Sequence, residues 1–244
     1  MLRALSHDLF GEQHGSSPAQ VLALPGWMRQ RSDFRLVLDG FDAIALDLPG
    51  FGGASPEPAL ASGAAGYADL VEPALAACAE RFVLVGHSFG GRVAVHLACR
   101  HPDRVAAVVL SGAPRLVRPD QQPSPSARFR AARWLHRRGL VSDARMEARR
   151  RATGSDDYRN ASGVMRDVLV TVVNEDYEEQ LDQLVMPVEL VWGDDDTAAP
   201  IAGAERAHAR LGERSTLTIV PGAGHLTPLS APDALREAIR RHLA

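Results

Sequence analysis

A serine between two glycines, a run of three aspartates and a histidine in a glycine-rich turn are spread along this chain, and together they could carry out nucleophilic acyl transfer. Ser88 sits in Gly86-His87-Ser88-Phe89-Gly90, straight after the apolar run FVLV and straight before the amphipathic GRVAVHLACR. Glycines two residues to either side let a strand and a helix approach closely across a sharp turn, forcing the middle side chain outward at the helix N-terminus. Backbone N–H groups and the helix dipole there favour negative charge developing on a reacting oxygen. A tight turn with an incidental serine has the same five letters, so the hydroxyl becomes a nucleophile only if a base is supplied.

The base must come from nine histidines. His87 is inside the turn and points aside, His96 and His101 fall in or at the end of the helix after Ser88, and His208 and His242 are late-helix residues. His225 stands apart, in VPGAGHLTP after the apolar stretch STLTIV, where Gly222 and Gly224 loosen the loop. A third group must hold the imidazole and stabilise its charged form. VELVWGDDDTAAP offers Asp194, Asp195 and Asp196 after another apolar run. The order serine, aspartate, histidine is the one expected for an elbow-type fold and differs from the other common serine-triad arrangements. The aspartate run lacks the alternating spacing and glycine of a calcium loop, so no metal and no cofactor is expected. A second N–H for an oxyanion, beside that of Phe89, can come from VLALPGWMRQ, where Gly26 allows close approach and Trp27 donates; a plain turn is the other reading of that segment.

These residues need strands that end where they stand. Short apolar runs alternate with helical patterns, which predicts an α/β fold with a mostly parallel sheet flanked by helices. Strands are expected at Gln20–Leu24, Asp42–Leu46, Phe82–Val85, Val105–Leu110, Val188–Trp192 and Thr216–Val220. Helices are expected at Ala64–Ala79, Gly90–Arg100, Ile201–Leu211 and Pro232–Leu243, with an edge strand within Leu2–Phe10. The alternation breaks once, from Ala113 to about Asp176, where Pro-rich (RPDQQPSPS) and Arg-rich stretches carry helical spacing at Phe129, Trp134, Leu135, Leu140, Val164, Val168 and Val172. Hence the expected division: a core domain of residues 1–112 and 179–244, and a helical insertion of residues 113–178 before the last two strands, on the carboxyl edge where open α/β sheets bind ligands.

Composition narrows the choices. At 244 residues and 45% hydrophobic content the chain can bury one substantial core. No run approaches the roughly 20 apolar residues of a membrane span, and MLRALSHDLFGEQHG lacks the apolar centre of a secretion signal, so a cytoplasmic protein with no membrane partner is expected. A net charge of −3 speaks against nucleic-acid binding. All 27 basic residues other than histidine are arginine, which excludes a lysine Schiff base and a phosphate loop with its lysine. Cys78 and Cys99, both in segments that read as helices, suit packed thiols better than a disulfide framework.

Taken together, PGW at Gly26, DLPGFGGAS from Asp47, GHSFGG around Ser88, HPDRVAAVVLSG from His101, WGDDDTAAP and GAGH resemble the α/β-hydrolase superfamily, in its cap-bearing branch of carboxylesterases, thioesterases and lactonases. The resemblance selects Asp196, because the family pattern WGxxDxxxP lands on Trp192, Gly193, Asp196 and Pro200; Asp195 is the fallback. It implies a serine hydrolase acting on a small-molecule ester, thioester or lactone through Ser88, Asp196 and His225, with Trp27 and Phe89 as the oxyanion hole. It further implies that the insertion is a helical cap whose Phe129, Trp134 and Met165 line the substrate pocket, in a monomer or homodimer. The cap arginines, from Arg115 through Arg159, read as a solvated face or, more sharply, as an attraction for anionic substrates. One departure is that Pro25-Gly26 stands where many relatives have His-Gly. Rival functions are C–C bond hydrolysis, lactonisation or acyl transfer by the same three residues, and a small-molecule receptor acting through a partner protein.

Overall fold

Alternation along the strands explains the layering. In the computed structural model, which describes residues 1–6, 9–51, 62–118, 127–142, 144–145 and 159–243, the central strands are buried on both faces. Val21 and Ala23 of β3 (Ala19–Leu24), Ala43 and Ala45 of β4 (Ala43–Asp47) and Val83 and Val85 of β5 (Cys78–His87) face one layer. Their neighbours Leu22, Leu24, Ile44, Leu46 and Leu84 face the other. A strand apolar on every residue is what a parallel sheet with helices on both sides requires. The sheet continues through β6 (Val105–Ser111), β7 (Val188–Gly193) and β8 (Ser215–Val220). Its order is β1-β2-β4-β3-β5-β6-β7-β8, and every pairing from β4 to β8 is parallel.

On one face, α1 (Arg35–Leu38) and α9 (Pro232–Arg240) bring Val37, Leu38, Leu235 and Ile239 against the sheet. On the other, α2 (Ala64–Val71), α3 (Phe89–Arg100), α6 (Glu178–Gln183) and α7 (Ala202–Leu211) bury the larger cluster. Between β6 and β7 the described residues form α4 (Ala127–Arg137), α5 (Gly163–Val172) and α6, with no strand among them. The short α8 (Thr227–Ser230) follows β8.

Three expectations need correction. The helix predicted over Ala64–Ala79 ends at Val71 and tightens into a 3-10 turn over Glu72–Ala77. Pro73 there has no N–H for an α-helical bond. Cys78 therefore opens β5 instead of ending a helix; Cys99 is in α3 as expected, and both thiols are free. The amino-terminal segment forms two antiparallel strands, β1 (Leu2–Ser6) and β2 (Leu9–His14), and β2 pairs with β4.

Candidate active site

The turn from β5 into α3 is as tight as its glycines suggest. A Cβ on Gly86 would lie 2.5 Å from Gly91 Cα, and one on Gly90 would lie 2.2 Å from the Leu24 carbonyl oxygen. Between them Ser88 adopts φ 51°, ψ −115°, a conformation an L-residue holds only at a cost of roughly 1–3 kcal/mol when its surroundings enforce it. The enforcement includes a hydrogen bond from the Ser88 N–H to the Ser111 carbonyl, 2.8 Å, which ties the turn to the end of β6.

Two loops meet this turn from the ends of β7 and β8. His225 Nε2 lies 3.0 Å from Ser88 Oγ, and His225 Nδ1 lies 2.8 Å from Asp196 Oδ2. An ionised carboxylate only accepts, so the Nδ1–H donates to Asp196 and Nε2 is left to accept from the serine hydroxyl. The Asp196 side chain is fully buried, and its Oδ1 takes the N–H groups of Ala198 and Ala199 at 2.9 and 2.7 Å. Asp195, the fallback, is exposed, with its backbone N–H on the Ala223 carbonyl. Asp194 accepts from the Gly222 N–H at 2.7 Å and braces the histidine loop. Its carboxylate is thus spent on loop shape.

His87 does turn aside. Its Nδ1–H donates to the Ser111 carbonyl at 3.0 Å, and burial, helped by the nearby His225, holds its pKa down to about 3. A neutral ring packed 5.0 Å from His225 leaves that imidazole without a cationic neighbour on this side.

The loop after β3 carries Trp27 to the same place. A Cβ on Gly26 would stand 3.2 Å from Ser88 Cβ, so only glycine lets this loop lie against the turn without displacement. Arg29 pairs with Asp33 at 2.5 Å, and Arg31 donates both its N–H and its guanidinium to the buried Asp47. The Trp27 ring meets Phe51 at 4.9 Å and Phe89 at 5.5 Å, edge to face. Tyr67 packs on Phe89 at 4.8 Å and donates its hydroxyl to the Pro49 carbonyl. This aromatic cluster fixes the backbones that hold the Trp27 and Phe89 N–H groups, neither of which is used in a backbone hydrogen bond among the described residues.

Two clefts of about 440 Å³ share Trp27 as a wall. One contains Ser88 and His225 and is walled in part by Leu169, Val172 and Val173, so residues between β6 and β7 form part of its wall. The other contains Phe51, Met28, Ala161 and Met165. Of the three residues expected to line the pocket, Met165 is in the second cleft. Trp134 lines neither; its ring is half-exposed under Arg138, 4.1 Å above it. The side chain of Phe129 lies outside the described residues.

Sequence reasoning passed over Gly112. It follows β6 with φ +57°, and a Cβ there would come within 3.1 Å of His225 Nδ1 and 3.2 Å of Asp196 Oδ2. The signal was a glycine at the end of a strand adjacent to the elbow, in LSG. Arg92, one turn into α3, was also passed over. It is buried, donating Nε to the Pro114 carbonyl and a terminal nitrogen to the Val172 carbonyl, both at 2.9 Å.

A mostly parallel sheet with this strand order, an elbow after its central strand and a serine–histidine–aspartate chain at the carboxyl ends define an α/β hydrolase. Residues 21–238 match the model of the alpha/beta hydrolase family, and the chain belongs to it. A Bacillus subtilis protein named "Uncharacterized hydrolase YugF" is 26% identical over 93% of this chain and 91% of its own. A pimeloyl-[acyl-carrier protein] methyl ester esterase of Xanthomonas campestris pv. campestris is 29% identical over 94% of this chain and 96% of its own. The solved structure of a thermophilic esterase from Thermogutta terrifontis superposes with a TM-score of 0.66 at 25% identity, covering 96% of this chain and 92% of that one.

Proposed function

We propose that this chain is a serine hydrolase that cleaves carboxylic esters, thioesters or lactones of small to medium size through an acyl-enzyme on Ser88. The observation that carries the reading is the unbroken chain from Ser88 Oγ through His225 to the buried Asp196. His225 Nε2 takes the hydroxyl proton as Oγ attacks the substrate carbonyl, and Asp196 stabilises the imidazolium. The oxyanion is received by the N–H groups of Phe89 and Trp27. The imidazolium returns its proton to the leaving alcohol or thiol, and water, activated by the same nitrogen, then releases the acid. The insertion between β6 and β7 acts as the cap, and its α5 supplies part of the acyl or alcohol pocket. Relatives named as esterases support the ester bond as the target. Free thiols at Cys78 and Cys99 suit a cytoplasmic setting. Among the described residues, no helix is long and apolar enough to cross a membrane.

The test is labelling with a fluorophosphonate probe followed by peptide mapping, beside turnover of a short-chain aryl ester. We expect the label on the peptide containing Ser88, and Ser88→Ala to lower kcat by roughly 10⁴-fold or more with an unchanged circular dichroism spectrum. Normal turnover by Ser88→Ala would sink the proposal.

A further inference from the structure

Two arginines stand in the wall of the cleft that holds Ser88, and among the described residues neither forms an ion pair with a carboxylate. Arg92 is 4% exposed, and its guanidinium is held by two neutral carbonyls and lies 5.7 Å from the Tyr177 ring centre. The carboxylate near it, Glu175, is occupied with the Tyr177 hydroxyl at 2.5 Å and the Ala64 N–H. Arg115 is half-buried and adopts φ 62°, an unusual conformation for a residue with a side chain. Its Nε is fully buried and has no hydrogen-bond partner among the described residues. Other arginines of this protein are matched: Arg31 with Asp47, Arg210 with Asp182, Arg241 with Glu189, and Arg118, three residues beyond Arg115, with Asp176. Burial holds the Arg92 pKa below its ordinary value; Tyr177 and Glu175 pull it part of the way back, and the charge of Arg115 adds a smaller push downward.

A guanidinium with a buried, unpaired donor is costly unless an acceptor, best of all an anion, meets it. The other residues lining this cleft, among them Trp27, Phe89, Leu169 and Val172, are apolar apart from Ser88 and His225. We infer that the cleft takes an ester whose acyl or alcohol part bears a carboxylate, received by the unpaired Arg115 guanidinium in the field of Arg92, with the apolar walls covering the carbon chain between anion and scissile carbonyl. The inference rests on the proposed serine chemistry for its placement of the scissile bond. Arg115 is a specificity residue in this account, and Arg92 supports it from behind.

The experiment measures kcat/KM for two matched pairs: mono-4-nitrophenyl glutarate against 4-nitrophenyl hexanoate, and 4-carboxyphenyl hexanoate against 4-methylphenyl hexanoate. The wild-type enzyme should favour the carboxylate in at least one pair by about tenfold or more. Arg115→Gln should collapse that ratio toward one and Arg115→Lys should restore part of it, a readout that a general loss of activity does not move. Absence of preference in both pairs, or an unaltered ratio in Arg115→Gln, overturns the inference. Ser88→Ala run in parallel keeps the readings apart: loss of turnover on all four esters without any carboxylate preference leaves the serine hydrolase standing and removes only the anion site. If none of the esters is turned over, protection of Ser88 from fluorophosphonate by glutarate, but not by 1,5-pentanediol, supports the anion site. Equal protection, or none, overturns it.

Discussion

Asp196 Oδ2 has a single described partner, the His225 Nδ1–H, while Oδ1 is held by two backbone N–H groups. The carboxylate therefore cannot rotate away, and it dictates which imidazole nitrogen carries the proton. Asp196→Asn should preserve the fold while presenting a donor to Nδ1, so the ring flips to the wrong tautomer. Ester turnover should fall by about 10⁴-fold, measurable as kcat with burst-free kinetics. His87 acts on stability instead. Because its ring stays neutral in the fold down to about pH 3, the unfolded chain alone binds that proton between about 6.5 and 3. Stability from this group is present above that window and is lost as pH falls through it, by up to about 1.4 kcal/mol per unit. His14 and His96 are shifted the same way, so the comparison must isolate one ring. In urea unfolding at pH 7 and pH 5, wild type should lose about 2 kcal/mol more than His87→Gln between the two. Equal losses would mean the buried ring does charge.

The elbow and its neighbouring strand end behave as one element. Ser88 could be picked out because a strand, two glycines and a helix are local signals; strand order pointed to His225 and to the run Asp194–Asp196, and only the family resemblance singled out Asp196 within it. Gly112 could not, because its reason for being glycine lies in side chains from two other loops, 84 and 113 residues further along. Arg92 could not, because an arginine in GRVAVHLACR reads as the polar face of a helix until Pro114 and Val172, from the stretch between β6 and β7, close over it. Gly112→Ala should cost about 1–2 kcal/mol for a strained φ yet lower kcat by roughly 100-fold, since the added methyl group pushes directly on the His225–Asp196 pair. Thermal unfolding together with steady-state kinetics would show this disproportion. A loss of activity no larger than the loss of folded protein would argue against it.

Across the whole molecule, the site end of the sheet and its opposite end do different work. At the amino end of β7, buried Glu189 receives Arg241 at 2.6 Å and His242 at 2.9 Å, fastening the segment after α9. Burial alone would raise the Glu189 pKa, but the bonds from Arg241 and His242 outweigh it and hold the carboxyl below its ordinary value. Its contribution to stability is therefore present above about pH 4.5 and lost as pH falls through the lower folded value. Glu189→Gln should cost about 1–3 kcal/mol in denaturant at pH 7, with the gap to wild type closing in acid, while turnover at 25 °C stays at the wild-type rate. The α/β layering was readable from strand alternation because burial on both faces leaves a continuous apolar run. The β1–β2 hairpin was not, because its second strand, LFGEQH, is only partly buried and its apolar signal is correspondingly thin.

The wide sequence spacing of the site has a consequence for assembly. Ser88 and His225 are 137 residues apart, and the sheet between them is parallel, with each strand waiting for a crossover to return. Closing such loops is entropically late work, and parallel pairings of this span form slowly. Helices and the first strand pairs can form while Ser88 still faces no base. Under the proposed serine chemistry, recovery of activity after dilution from denaturant should time the arrival of the final two strands, since Ser88 meets His225 only once they are in place.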